Sequence, residues 1–194
     1  MTPRQLLEIL GTAEKLKCVT RHCDTSSGRR ESVAEHSWRA ALMAMLLAEQ
    51  KEYEELDMNR VIRMCLIHDL GEAFTGDIPT FEKTEKDAAR EDALFEEWIE
   101  RLPPVQKREF QTMFAEMQEQ KTPEARLYKA LDKLEAVIQH NESDLSSWLP
   151  LEYDLQLTYG SEEVRFSPYL RALKEEVDDW TRKKISKAQH PCQP

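Results

Sequence analysis

The sequence predicts an all-α protein that forms a single domain. Apolar residues recur at the three-to-four-residue spacing of amphipathic helices, and alternating stretches rich in Val, Ile, Thr or aromatic residues are nearly absent. Glycine is scarce, with 5 in 194 residues, so few tight hairpin turns are expected. A chain of this length lies near the usual size of one domain, about 100 to 200 residues. We therefore expect a bundle of six to eight helices and no sheet of consequence.

The first helix is expected where Leu6, Leu7, Leu10 and Ala13 form an apolar stripe, and a loop is expected at 24–30. Two segments that are apolar nearly all around then predict central, buried helices at 33–48 and 61–70. The remaining helices are predicted at 84–101, 104–120, 123–141 and 168–185. The signals are further amphipathic stretches and prolines at the first helical position, some of them directly after an N-cap residue.

The domain is expected to cover residues 1–186. The segment 148–160 is less periodic than its neighbours and is expected to be partly irregular. Residues 187–194 are expected to form a flexible C-terminal tail.

The charge of the chain argues against some classes of partner. The formal net charge is −10 and the pI is near 5.1, whereas binding a polymeric nucleic acid requires clustered Lys and Arg. A small phosphorylated substrate is still allowed, because one bound dication and one or two arginines can outweigh the global charge locally. The sequence has no run of 18 apolar residues, and its first ten residues lack the apolar core of a signal peptide. We expect a cytoplasmic protein with no nucleic-acid polymer or membrane as partner.

Two of the five histidines fall in or beside the two most apolar segments, and the second of them, His68, directly precedes Asp69. For His36 alone, a hydrogen-bonded core histidine is the commoner interpretation. Burying an imidazole together with a carboxylate costs free energy unless a cation compensates, so the His68-Asp69 pair favours a metal site. Neighbours on a helix point about 100° apart, so both reach one ion only near a helix end, which Gly71 permits.

Three sequence blocks resemble the motifs of the HD superfamily of metal-dependent phosphohydrolases. They are SVAEHS at 32–37, HDLGEAFTGDIP at 68–79 and ALDKLEA at 130–136. They are most similar to the branch that contains bacterial 5′-deoxynucleotidases. The resemblance implies an all-α HD domain that removes phosphate from 5′-(deoxy)ribonucleoside monophosphates. It also implies one divalent cation, with Co²⁺ or Mn²⁺ expected first and Mg²⁺, Zn²⁺, Ni²⁺ or Fe²⁺ left open.

The same resemblance implies a set of metal ligands, namely His36, His68, Asp69 and Asp132. Periodicity alone gives no reason to choose Asp132, because it lies off the apolar stripe of its helix. Imidazole and carboxylate ligands suit a first-row dication, which lowers the pKa of bound water from 15.7 towards about 7. No protein nucleophile is then required.

Two acidic residues match catalytic positions of the family. Glu72 lies one helical turn after His68 and is assigned to proton transfer. Asp77 is assigned to contacts with water or the leaving group. For both residues, an ordinary surface carboxylate is the alternative.

Substrate contacts are the least constrained part of the assignment. Arg21 matches a substrate-contacting arginine of the deoxynucleotidases. His22 stands where those enzymes have a tryptophan that helps to exclude the 2′-hydroxyl group, so a preference for deoxyribose does not follow. Lys133 and Arg30 are further candidates for phosphate contacts, with plain solvation as the alternative.

Two other functions stay open at this stage. One is another HD phosphohydrolase activity, either a nucleotide phosphodiesterase or a triphosphohydrolase, and the other is a non-catalytic nucleotide-binding HD module. Dinuclear members use additional histidines between the His-Asp pair and the last aspartate, and residues 70–131 contain none, which favours one metal ion. Similar proteins commonly form homodimers, so a homodimer is an expectation.

Overall fold

A computed structural model describes residues 1–189 as nine α-helices and one two-stranded antiparallel sheet. In chain order the elements are α1 (Pro3–Glu14), β1 (Thr20–Asp24), β2 (Arg30–Ser32), α2 (Val33–Leu47), α3 (Met58–Ile67), α4 (Glu72–Thr75), α5 (Glu85–Glu100), α6 (Pro104–Glu119), α7 (Pro123–Glu142), α8 (Glu152–Thr158) and α9 (Pro168–Gln189). Apart from α4, which is a single turn, eight helices in this range have seven residues or more. The predicted all-α class is confirmed.

The core lies where α2, α3 and α7 pack against one another. Alanines at 40 and 44 of α2 are fully buried, and these small side chains let the neighbouring helices approach closely. Large residues fill the space on the other two helices, including Met64 on α3 and Leu131 on α7. Burying one such side chain contributes roughly 1.5–3 kcal/mol. This packing brings together the three helices that carry the residues of the candidate site.

Side-chain caps fix where the central helices begin. Ser32 accepts a hydrogen bond from the backbone of Glu35, whose carboxylate accepts in return from the backbone of Ser32. This capping box starts α2 directly after β2 and places His36 in the first turn of the helix. Thr122 caps α7 in front of Pro123. The predicted starts near residues 33 and 123 are therefore set by local chemistry.

The hairpin of β1 and β2 replaces part of the predicted loop at 24–30. Its turn uses Gly28, which has a positive φ of 79° and donates a backbone hydrogen bond to Thr25. The pairs Thr20 with Ser32 and Asp24 with Arg30 align four steps of β1 with two steps of β2. The sequence did not predict these strands because they are short, polar and without alternation. The irregular register also frees β1 from strict alternation of its side chains.

The C-terminal helix α9 continues to Gln189 and so includes the first three residues of the predicted tail. The rest of that tail, residues 190–194, lies outside the described residues. Within residues 1–189, no helix has both the length and the apolar character needed to cross a membrane.

The turn between α3 and α4 carries the central sequence motif. Helix α3 ends at Ile67 with His68 as its C-cap, so the His-Asp pair lies at a helix end, as predicted. A Cβ atom added to Gly71 in this turn would lie 2.7 Å from Cγ of Glu91 on α5. The Glu91 carboxylate is itself held by Lys83 at 2.7 Å. Gly71 therefore permits the close approach of α5 to the turn.

Replacing Gly71 with Ala should lower the free energy of unfolding by about 1–3 kcal/mol, the usual cost of overpacking. Equilibrium urea denaturation measures this loss. Gly11→Ala is the matched control, because a Cβ atom there meets nothing within 4 Å. The Gly11→Ala substitution should instead stabilise the protein by roughly 0.5–1 kcal/mol, because alanine is more favourable than glycine inside a helix such as α1. Equal effects of the two substitutions would contradict the proposed role of Gly71.

Candidate metal centre and substrate pocket

Four side chains, from α2, α7 and the turn that follows α3, meet at one end of a cavity. Nε2 of His36 lies 3.2 Å from Nε2 of His68 and 3.1 Å from Oδ1 of Asp132. Nε2 of His68 lies 3.1 Å from Oδ2 of Asp69 and 3.5 Å from Oδ1 of Asp132. The ligand atoms of His36, His68 and Asp69 all lie within 4.8 Å of one another. The structure thus brings together all four residues that the sequence predicted as metal ligands.

The hydrogen bonds of the two imidazoles orient them towards one point. Nδ1 of His68 donates to the backbone carbonyl of Cys65 at 2.9 Å, and Nδ1 of His36 donates to the buried carboxylate of Glu135. In the neutral rings, both Nε2 atoms then carry lone pairs that face the carboxylates of Asp69 and Asp132. Four acceptors that converge in this way fit a cation.

The electrostatics of this cluster also fit a cation. Burial raises the pKa of Asp132, but Lys129 and the two histidines outweigh burial and hold this pKa well below its usual range. Burial lowers the pKa of His68, but the neighbouring carboxylates, Asp69 first, overcome it and raise the pKa to about 10. Oδ2 of Asp69 is buried and, within residues 1–189, has no donor in hydrogen-bonding geometry. The cluster therefore favours bound positive charge and leaves one carboxylate oxygen without a partner.

The cavity beside this cluster has a volume of about 390 Å³. Asp132, Ala136 and His140 line it from α7 and are spaced by four residues, so they lie on one face of the helix. Eight residues of helix extend about 12 Å. The cavity therefore runs along α7 from the four-residue cluster towards His140.

Arg21 lies in the cavity next to the cluster. Its Nη1 is 3.6 Å from Oδ2 of Asp69, and its Nε is 3.3 Å from the buried carboxylate of Glu31. Because the register of β1 is irregular, Arg21, His22 and Cys23 all line the cavity although they are consecutive. A permanent positive charge thus faces the cavity beside the predicted metal ligands, where a phosphate group would be attracted.

Glu72 and Asp77 both line the same part of the cavity. Glu72 is only 4% exposed, so it is not a surface carboxylate, and its Oε2 is buried without a hydrogen-bond partner among the described residues. Burial, followed by the negative charges of Asp69 and Asp77, raises the pKa of Glu72 to about 10. Burial also raises the pKa of Asp77. Two carboxyl groups with elevated proton affinity therefore adjoin the cluster.

The other candidate substrate contacts differ in their surroundings. His22 lines the cavity, packs edge-on against the Phe81 ring at 5.5 Å and lies 3.2 Å from the Glu152 carboxylate. Lys133 lines the cavity too, but its ammonium group is paired with Glu163.

Arg30, the remaining candidate for a phosphate contact, lies outside this cavity. Its side chain is half exposed, lies 3.5 Å from Asp24 and does not line the cavity. It belongs to β2, which follows the turn of the hairpin, whereas the cavity-lining residues of the hairpin all belong to β1.

Several residues of the site were not singled out from the sequence. Glu135 is fully buried and binds both His36 and Arg39, with its Oε1 2.6 Å from Nε of Arg39. Its position three residues after Asp132, on the same side of α7, was the available signal. Lys129 donates to Oδ2 of Asp132 at 2.8 Å, again at a spacing of three residues.

The family model described as the HD domain matches residues 13–174 of the chain. The chain belongs to the HD-domain family. The 5′-deoxynucleotidase HDDC2 from Homo sapiens is 31% identical over 143 residues, which cover 72% of this chain and 68% of that protein. HDDC2 from Bos taurus is 29% identical over 195 residues, which cover 97% and 92% of the two chains.

A solved structure extends the similarity to the whole HD fold. A predicted metal-dependent phosphohydrolase from Magnetospirillum magnetotacticum superposes with a TM-score of 0.78 at 30% identity. The superposition covers 94% of this chain and 93% of the bacterial one. The predicted HD superfamily, all-α fold class and metal-dependent phosphohydrolase type are confirmed by these similarities.

In this HD domain, replacing Glu72 with Gln should stabilise the metal-free protein at pH 8. Folding raises the pKa of Glu72 from 4.5 to about 10. The carboxyl group therefore contributes to stability below pH 4.5, and this contribution is lost as the pH rises towards about 10. Glutamine has no proton to lose in this pH range, so the variant keeps its stability as the pH rises. Urea denaturation with a chelator present should show a gain of about 1–3 kcal/mol at pH 8, shrinking towards pH 5.

Glu82→Gln, at an exposed position, is the control for this measurement and should change stability little at either pH. A gain for Glu72→Gln that does not depend on pH would contradict the origin of the effect in proton binding.

Proposed function

We propose that this HD-domain protein is a phosphohydrolase that removes the 5′-phosphate from (deoxy)ribonucleoside monophosphates with one divalent cation. The cation would be bound by His36, His68, Asp69 and Asp132. The observation that carries the proposal is the convergence of these side chains beside Arg21 at one end of the cavity. The relatives named 5′-deoxynucleotidases supply the substrate class.

The ligand set favours a first-row dication, for which we propose Co²⁺ or Mn²⁺. When bound, such an ion acts as a Lewis acid on a phosphoryl oxygen and lowers the pKa of water from 15.7 towards about 7. The chain itself orients the ligands. Glu135 holds His36 through Nδ1, and the Cys65 carbonyl holds His68 in the same way.

Arg21 would bind the phosphate group of the substrate. Its guanidinium lines the cavity and lies between two carboxylates, with Nε 3.3 Å from Glu31 and Nη1 3.6 Å from Asp69. A fork of N–H donors in fixed orientation matches the geometry of phosphate oxygens. A pre-oriented contact of this kind places the phosphorus atom near the cluster without ordering a flexible side chain.

Glu72 would transfer the proton during hydrolysis, and Asp77 would contact water or the leaving group. Glu72 is buried next to Asp69, and its raised pKa lets the carboxyl group hold a proton near neutral pH. A group that holds a proton in the cavity can deliver it to the leaving ribose oxygen.

Phosphate release from 5′-monophosphates, 3′-monophosphates and a cyclic diester tests the proposal directly. With Co²⁺ or Mn²⁺ present, we expect release from the 5′-monophosphates alone, and none with a chelator. Comparing ribose and deoxyribose substrates shows whether His22 admits the 2′-hydroxyl group. Release that persists with the chelator, or cleavage of the diester alone, would refute the proposal.

Replacing Glu135 with Gln should weaken cation binding about 10- to 100-fold, the usual effect of losing a carboxylate partner of a metal-bound histidine. The neutral amide removes the negative charge that orients His36 and stabilises its Nδ1–H. Competition with a chromophoric chelator measures the dissociation constant without relying on activity.

Glu142→Gln is the matched control for Glu135→Gln. Glu142 also binds Arg39, at 2.5 Å, but it has no contact with His36 among the described hydrogen bonds. It should leave cation affinity within roughly twofold of the wild-type value. A loss of the same size in both variants would assign the effect to Arg39 rather than to His36.

A further inference from the structure

The far end of the cavity is formed by α8, which the proposed hydrolysis does not use. Glu152 and Gln156 lie four residues apart on α8, on the same face of the helix, and both line the cavity. His140, about 12 Å along α7 from Asp132, lies on this side as well.

Glu152 fixes the start of α8. One of its oxygens lies 2.9 Å from Nε2 of His140 and 3.2 Å from Nε2 of His22, and the other accepts from the backbone of Leu149 at 2.6 Å. The Trp148 ring packs edge-on against His140 at 5.4 Å. The carboxylate therefore joins α7, β1 and α8 at one point.

Lys174 fixes the end of α8. This buried side chain reaches from α9 to the backbone carbonyls of Gln156 and Leu157, at 3.4 and 3.3 Å. A cation at these carbonyls satisfies acceptors that the end of a helix leaves free. Glu152 at the start of α8 and Lys174 at its end therefore hold the backbone of Gln156 in place, so that its side chain begins from a fixed position.

The Gln156 carboxamide has an unpaired oxygen at this end of the cavity, where Nε2 of His22 also has no hydrogen bond in proper geometry among the described residues. Gln156 is only 5% exposed, yet its Oε1 is buried without a hydrogen-bond partner in the part of the chain that the structure describes. Buried polar groups are normally paired, so an unpaired one that lines a cavity points to a ligand.

We propose that Gln156 binds the edge of the nucleobase and so distinguishes nucleotides from sugar phosphates that carry no base. This proposal rests on the proposed function, because phosphate bound near Arg21 directs the rest of a nucleotide along α7 towards α8. A carboxamide offers a donor beside an acceptor, and every nucleobase has an edge on which these alternate. A rotation of the amide by 180° exchanges the two, so Gln156 would accept several bases rather than select one. Its fixed backbone lowers the entropic cost of the contact.

Comparing substrates with and without a base isolates this contact. The Gln156→Leu variant should lose about five- to tenfold in kcat/KM on deoxyribonucleoside 5′-monophosphates, mainly through KM. On 2-deoxyribose 5-phosphate, which has the phosphate and sugar but no base, it should stay within roughly twofold of wild type. Gln156→Met, which keeps the length of the side chain, should behave in the same way and guards against a folding defect.

Gln139→Leu is the matched control. Gln139 is also 5% exposed, but it donates to the backbone carbonyl of Asp24 and does not line the cavity. This variant should leave the ratio of the two kcat/KM values unchanged. An equal loss on both substrates in the Gln156 variants, or no loss on nucleotides, would overturn the proposal.

Equilibrium binding of deoxyadenosine 5′-monophosphate in chelator separates this proposal from the proposed hydrolysis. A wild-type protein that binds the nucleotide through Gln156 but releases no phosphate would refute the hydrolysis and support the base contact. A protein that releases phosphate normally, with nucleotide affinity unchanged by Gln156→Leu, would refute the base contact alone. Neither binding nor release by wild type would overturn both.

Discussion

The site depends on one physical constraint, the convergence of four acceptor groups inside the contact of α2, α3 and α7. Two imidazoles whose Nε2 atoms lie 3.2 Å apart and two carboxylates are costly to hold together in this largely buried place unless positive charge compensates the carboxylates. Surrounding side chains supply part of that compensation, with Lys129 at Asp132 and Arg21 at Asp69. The proposed cation would supply the remaining positive charge. Lys129 and the two histidines hold the pKa of Asp132 low although the residue is buried.

Helix α7 organises the site because its two faces have different tasks. Leucines at 127, 131 and 134 form the face that packs into the core. Asp132, Glu135 and His140 lie outside that stripe. Asp132 belongs to the four-residue cluster, Glu135 orients His36, and His140 contacts Glu152 at the far end of the cavity. A rigid helix keeps these positions at fixed distances, so the separation of the proposed phosphate and base contacts is set by helical rise.

The sequence predicted some of this from its residues and some through resemblance alone. His68 and Asp69 could be inferred from their place at the end of an apolar helix, and the structure has this helix end. Asp132 could not, because a carboxylate off the apolar stripe is indistinguishable from a solvated one until other elements cover it. Here the cover comes from the hairpin, the segment after α4 and α8. The hairpin itself was missed, since tertiary contacts rather than strand propensity stabilise its short polar strands.

The far end of the cavity was the hardest part to predict, for a physical reason. Glutamate and glutamine are among the residues most often exposed, so Glu152 and Gln156 in a weakly periodic segment indicate a surface loop. They are buried because His140, His22 and Lys174 reach them from three other elements. Such long-range polar contacts leave no periodic trace in the sequence. The end of the cavity with the predicted metal ligands can therefore be recognised from short sequence blocks, whereas the end proposed to contact the rest of the substrate is defined only when α7, α8 and α9 come together.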